Sequence, residues 1–139
     1  MPCDNLFEFV ADIGQDAQAE CHYDALLRAN TWQQNTAILV FQLFCQGVSV
    51  DDLALVTSGT INGLRLEDND VGFSFNYPGA EVLINTPELG FVQVTLSSAV
   101  TDLMEGEYRI AAQFVWPTKT LEWRFKKTLN VMRDQILFP

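Results

Sequence analysis

Thr101–Trp116, TDLMEGEYRIAAQFVW, joins a corner to the cleanest alternating run in the chain. Tyr108, Ile110, Ala112, Phe114 and Trp116 fall on one side of that run, and Glu107, Arg109, Ala111, Gln113 and Val115 on the other. A period of two with one apolar side is the pattern of a strand that buries one face. Gly106 permits a tight connection just before it, and Tyr108 stands two residues later. A tyrosine in that place fills the core with its ring and carries a hydroxyl that needs a partner. The backbone of the corner leaves polar groups that need one too. The stretch therefore predicts a corner made by Leu103, Gly106 and Tyr108, with the hydroxyl folded back onto backbone a few residues upstream.

The same period extends outward from this run. Val92, Val94 and Leu96 share a side in FVQVTL. In TLEWRFKKTLNVM, Leu121, Trp123, Phe125, Leu129 and Val131 share one, interrupted by Lys127. Val71, Phe73, Phe75 and Tyr77 share a face of DVGFSFNY, with Gly72, Ser74 and Asn76 opposite. GTINGLRL precedes that segment, and a short strand lies within YPGAEVLINTPELG between Pro-Gly and Pro-x-x-Gly punctuation. Ala37–Cys45, AILVFQLFC, is apolar on both sides, which predicts a strand buried on both faces or one face held against a partner. About seven short strands with turn signals between them, and no helical crossovers, predict an antiparallel sandwich or barrel. A tyrosine corner at the start of a late strand is a feature of the immunoglobulin-like sandwich, and that is the fold expected for residues 35–139.

The closing stretch GFVQVTLSSAVTDLMEGEYRIAAQFVWPTKTLEWRFKKTLNVM resembles immunoglobulin-like domains of tailed-phage structural proteins. The amino-terminal domain of baseplate upper proteins is the example it is most similar to. The residues that carry the resemblance are Val94-Thr95-Leu96, the small Ser97–Thr101 segment, the L-x-x-G-x-Y run from Leu103 to Tyr108, and the last strand from Leu121 to Met132. QNTAILVFQLFCQGVSVDDL is similar to that family's first strand, glycine turn and D-L pair. The match spans roughly residues 35–133. It implies assembly rather than catalysis: a structural subunit of a virion, in the tail, baseplate or fibre-attachment region. The expected partners are other copies of itself and other virion proteins.

Residues 1–34 fall outside the resemblance and read as an N-terminal arm. In DAQAECHYDALLRAN, Ala17, Cys21, Ala25 and Leu26 recur at helical spacing, with Asp16 placed to cap and Asn30 to end a short helix. NLFEFVADIG before it reads as a short strand or extended arm. Apolar residues on an arm are expected to meet other subunits, which singles out Phe7, Phe9, Leu26 and Leu27 as subunit contacts.

Charge is distributed unevenly. Residues 1–107 carry 16 acids and two bases, −14, whereas residues 108–139 carry two acids and six bases, +4, giving −10 in all. Such an acidic surface repels nucleic acid and anionic membrane over most of its area. Arg124 and Lys126, on the outward side of the last strand, are expected to meet solvent, the acidic surface of a neighbour or a nucleic-acid backbone. Three cysteines without a C-x-x-C pair, beside one histidine, exclude the usual zinc arrangements and suit a reducing compartment. The start, MPCDNLFEFV, lacks the basic region and long apolar core of a signal peptide, so synthesis in a cytoplasm is expected, and the resemblance to phage structural proteins implies residence in the virion.

No residue set suggests catalysis. His22 stands alone, without a nucleophile and orienting group at a recognisable spacing. No glycine-rich phosphate loop occurs, and no cofactor is expected. Glu67, Asp68 and Asp70 in LEDNDVG could gather oxygens about a cation, but the spacing of a calcium loop is missing and a polar turn is the simpler reading. Trp32, Trp116 and Trp123 could form a sugar platform, yet the last two fall on the inward side. The reading that follows is a non-enzymatic assembly protein. Its alternative is a carbohydrate- or cell-surface-binding β-sandwich module, and a weaker third is a small β-barrel enzyme or ligand carrier.

Overall fold

A computed structural model describes residues 6–13 and 28–133. The strands are β1 (Leu6–Asp12), β2 (Arg28–Trp32), β3 (Ala37–Cys45), β4 (Val48–Ser49), β5 (Ser58–Arg65), β6 (Val71–Tyr77), β7 (Val82–Leu83), β8 (Phe91–Leu96), β9 (Gly106–Val115), β10 (Thr120–Arg124) and β11 (Thr128–Met132). They form two sheets. One runs β1-β3-β8-β7 with β4 also on β3, and the other runs β2-β11-β9-β5-β6 with β10 also on β9. The fold is thus an all-β sandwich.

The alternation read from the sequence sets the core. Tyr108, Ile110, Ala112, Phe114 and Trp116 are all buried, as are Val92, Val94 and Leu96, and Trp123, Phe125, Leu129 and Val131. Aromatic rings bridge the sheets: Phe41 lies 5.3 Å from Phe9 and 4.8 Å from Phe125, centre to centre. Trp123 lies 6.3 Å from Phe114 and 6.2 Å from Trp116, and its indole N–H donates to the Phe44 carbonyl of the opposite sheet at 3.0 Å. Tilted and edge-on contacts of this kind add to the area they bury.

Several expectations are corrected. The sheets are not wholly antiparallel, because β1 pairs with β3 and β2 with β11 in parallel. Alternation reveals that a segment is a strand but carries no information about the direction of its partner. Parallel pairs need long connections, and here the chain supplies them by passing from one sheet to the other. Residues 6–12 and 28–32 are edge strands of the two sheets, so the described part of the first 34 residues packs within the sandwich. Arg28–Trp32 is strand where a helix ending at Asn30 was expected, while residues 16–27 of that helix lie outside the described residues.

The last strand is two, β10 and β11, which share one edge of β9. The Phe125 N–H still bonds to the Ile110 carbonyl at 3.0 Å, across the break. Lys127 marks the break as the sequence implied: its ammonium donates to the Glu8 carbonyl at 2.8 Å and sits 5.3 Å from the Phe9 ring centre, tying β1 across to the second sheet. Val71 is 63% exposed instead of facing inward with Phe73. The register explains it: Gly63 opposes Phe73 but Leu64 opposes Val71, so Gly72 is an extra residue and the faces exchange at that bulge.

Candidate assembly surfaces

The corner comes first, because it fixes the exposed groups around it. Ser97 caps a single helical turn, Ser98–Thr101, and the chain then enters β9. Gly106 has φ +109°, a conformation that costs a side chain strain and glycine little. The Tyr108 hydroxyl accepts from the Glu105 N–H at 3.0 Å and donates to the Glu105 carbonyl at 3.2 Å. Two more bonds fasten the corner to the β2–β3 link: Gln33 Nε2 donates to the Met104 carbonyl at 2.8 Å, and Thr101 Oγ1 to the Asn35 carbonyl at 2.7 Å. Met104 turns into the core, and Leu103, one residue earlier, is 86% exposed between the exposed Asp102 and Glu105. Tyr108→Phe keeps the ring but strips a buried N–H of its acceptor. It is expected to cost about 1–3 kcal/mol, read as a lower denaturant midpoint; an unchanged midpoint would show that the hydroxyl contributes nothing to the corner.

The acidic LEDNDVG turn is organised around a guanidinium. Arg65 Nε and Nη2 donate to the two carboxylate oxygens of Asp68, each at 2.9 Å, and Nη2 also reaches Asp70 at 3.0 Å. Arg65 Nη1 donates to the Glu105 carbonyl at 3.1 Å, linking this turn to the corner. Among the described residues no group of three potential ligands is placed to hold a metal ion. The side-chain bond from Arg65, followed by the Asp70 backbone N–H, lowers the Asp68 pKa from 3.8 to about 2, and Asp68 in turn raises that of Arg65. A carboxyl whose folded pKa is depressed contributes its full stabilisation above the ordinary value and loses it as pH falls through the depressed one. The Asp68 carboxyl is therefore expected to titrate near pH 2 by NMR, with the turn loosening as pH drops from 3.8 toward 2; a midpoint at 3.8 would mean the pair does not form in solution.

Asp12 is a buried carboxylate with a structural task. It accepts from the Gln46 N–H at 2.8 Å and the Gly47 N–H at 2.7 Å, closing the β3–β4 turn in which both residues have positive φ. Trp116 and Trp123 are buried, and Trp116 donates its N–H to the Asp52 carbonyl at 2.9 Å, so neither offers a ring to a sugar. Trp32 is 48% exposed at a sheet edge. Of the residues expected to contact other subunits, Phe9 is wholly buried within the domain and Phe7 partly so. Leu26 and Leu27 lie outside the described residues. Arg124 and Lys126 are exposed, as expected of the outward side.

The outer face of the second sheet holds a hollow of about 530 Å³. Register explains it. Arg124 of β10 lies beside Ala111 of β9, which lies beside Asn62 of β5, while Glu122, Gln113 and Thr60 form the next row. Leu64 stands beside Arg109 at the far end. Ala111 leaves the floor low between two arginines. The Arg124 guanidinium pairs with Glu122 on its own strand, and Arg109 Nη2 donates to the neutral Asn69 side chain at 2.7 Å. The sequence pattern placed these side chains outward, but nothing in it marked the hollow or the projecting Leu103.

The outer face of the first sheet mixes apolar and polar side chains, with apolar ones in the majority. Leu6, Ile38 and Thr95 form one row across it; Glu8, Val40, Gln93 and Leu83 the next; Val10, Gln42 and Phe91 a third. These are the outward positions of the strand that read as apolar on both sides. Among the described residues no helix is long and apolar enough to cross a membrane.

No protein-family model and no curated protein matches the chain. Solved structures do match. The N-terminal domain of phage TP901-1 ORF48 superposes with a TM-score of 0.52 at 10% identity, covering 94% of this chain and 98% of that one. At that identity the shared property is the fold, and the resemblance read from the sequence holds at that level: the sandwich is folded like the N-terminal domain of a phage protein.

Proposed function

We propose that this chain is a non-enzymatic structural subunit of a tailed-phage virion, placed in the tail, baseplate or fibre-attachment region, and that it works by assembling in many copies with itself and with other virion proteins. The observation that carries the reading is the fold shared with a phage domain along both chains. We read the sandwich as immunoglobulin-like, on the strength of its two sheets and the Tyr108 corner. The largely apolar outer face of the first sheet supports assembly, since contiguous apolar surface marks interaction sites. Burial of Trp116 and Trp123 takes two of the three rings from the aromatic platform that the carbohydrate-binding alternative would use. Light scattering of the purified chain, beside a glycan-binding screen, separates the two readings. Assembly predicts a concentration-dependent mass above that of the single chain and no retained glycan; a monomer that binds a defined glycan would replace this reading with the alternative.

A further inference from the structure

Leu103 and the arginine-rimmed hollow are unexplained by the fold of one copy. Leu103 has the largest exposure of the exposed large hydrophobic side chains among the described residues, 86%, and projects from the corner with Asp102 before it and Glu105 after it. An apolar tip between two carboxylates has a counterpart on the outer face of the second sheet. That hollow has a low alanine floor, with Leu64 beside it, and exposed guanidinium groups of Arg109 and Arg124 at its rim, where Glu122 pairs with Arg124 and leaves Arg109 as the uncompensated charge. Among the described residues, Arg109 is the basic group of the hollow that lacks a carboxylate. Arg28, Arg65, Lys119 and Arg124 each pair with a carboxylate. In a chain with 18 acids and eight bases, Arg109 meets only an amide among the described residues.

We propose that the Asp102–Glu105 corner of one copy docks into the outer hollow of the second sheet on the next copy. Leu103 would lie over Ala111, and the flanking carboxylates would face Arg109 and Arg124. The two surfaces are different, so the contact is heterologous: it runs head to tail and generates rings or open stacks rather than a two-fold pair. Burial of Leu103 contributes the apolar part, and the charges fix orientation and register. The chain's acidic balance, 18 acids against eight bases, opposes nucleic acid as the occupant. This inference rests on the multi-copy reading above and specifies its contact.

The test is sedimentation of the full-length chain. The wild type is expected to form an oligomer that shifts toward monomer as salt rises above about 0.15 M. Leu103→Ser, Arg109→Glu with Arg124→Glu, and Asp102→Arg with Glu105→Arg should each raise the dissociation constant at least roughly tenfold. All these side chains are exposed, so circular dichroism should report an unchanged fold. Mixing the acidic-hollow variant with the basic-corner variant should restore the oligomer, since each then offers the other a complementary surface. A merely structural effect gives no such rescue. An oligomer that survives all three variants, or a mixture that stays dissociated, overturns this contact while leaving assembly through another face intact. A wild type that is monomeric throughout overturns it as well, with virion membership then judged from particle composition. Loss of DNA retention on the arginine reversal, with size unchanged, would assign the hollow to nucleic acid instead.

Discussion

Phe9→Ala should unfold much of this protein's stability margin. The Phe9 side chain is completely buried, 5.3 Å from Phe41 and 6.2 Å from Phe125 between ring centres, with the Lys127 ammonium over its face. Deleting a buried phenylalanine costs about 3–5 kcal/mol, because the transfer free energy is lost and a cavity remains. Domains have net stabilities of about 5–15 kcal/mol, so that loss is a large fraction of the total. Urea denaturation should show the midpoint falling in a single transition. Phe7→Ala, at a partly buried position of the same strand, should cost less. If Phe9→Ala leaves the midpoint unchanged, β1 is not part of the cooperative unit and the first residues are a detachable arm after all.

Trp123→Ala should be comparably severe, again about 3–5 kcal/mol. Trp123 is fully buried, touches both Phe114 and Trp116, and sends its N–H across to the Phe44 carbonyl, which also accepts from the Ile13 N–H at 3.3 Å. One side chain thus joins β10, β9 and β3. Trp123→Phe keeps most of the apolar volume and should recover most of the loss. Equal instability of the two variants would mean that the hydrogen bond, rather than the packing, holds the sheets together at this point.

The sequence was most informative where one face of a strand is buried and the other wet. β9 follows its alternation without exception, from Tyr108 to Trp116. At the corner, the Tyr108 hydroxyl does meet the Glu105 backbone, while Leu103 of the same expected set projects into solvent. Other features failed to show for identifiable causes. The extra residue at Gly72 exchanged the faces of β6, and a bulge leaves the composition of a strand unaltered. In sequence, β1 and β2 look like an arm because they sit apart from the main run of strands. Their membership comes from parallel pairing with β3 and β11, a long-range contact without a local pattern. Phe9 looks like a subunit contact in the sequence for the same reason, and is wholly buried in the domain. Acidic clustering in Glu67–Asp70 gave no hint that Arg65 would thread it, since the side chains meet only once the turn is formed. The hollow depends on three strands in register, with a small residue at the centre, and the exposure of Leu103 depends on which of two neighbours, Leu103 or Met104, turns inward.

The claim that this is a virion subunit is tested most directly by quantitative peptide mass spectrometry of density-purified phage particles from the producing host. A virion subunit is expected in the particles at a fixed stoichiometry of several copies per virion, removed together with the tail when tails are separated from heads. Its absence from purified particles, with the chain left in the soluble fraction of the lysate, would contradict the account.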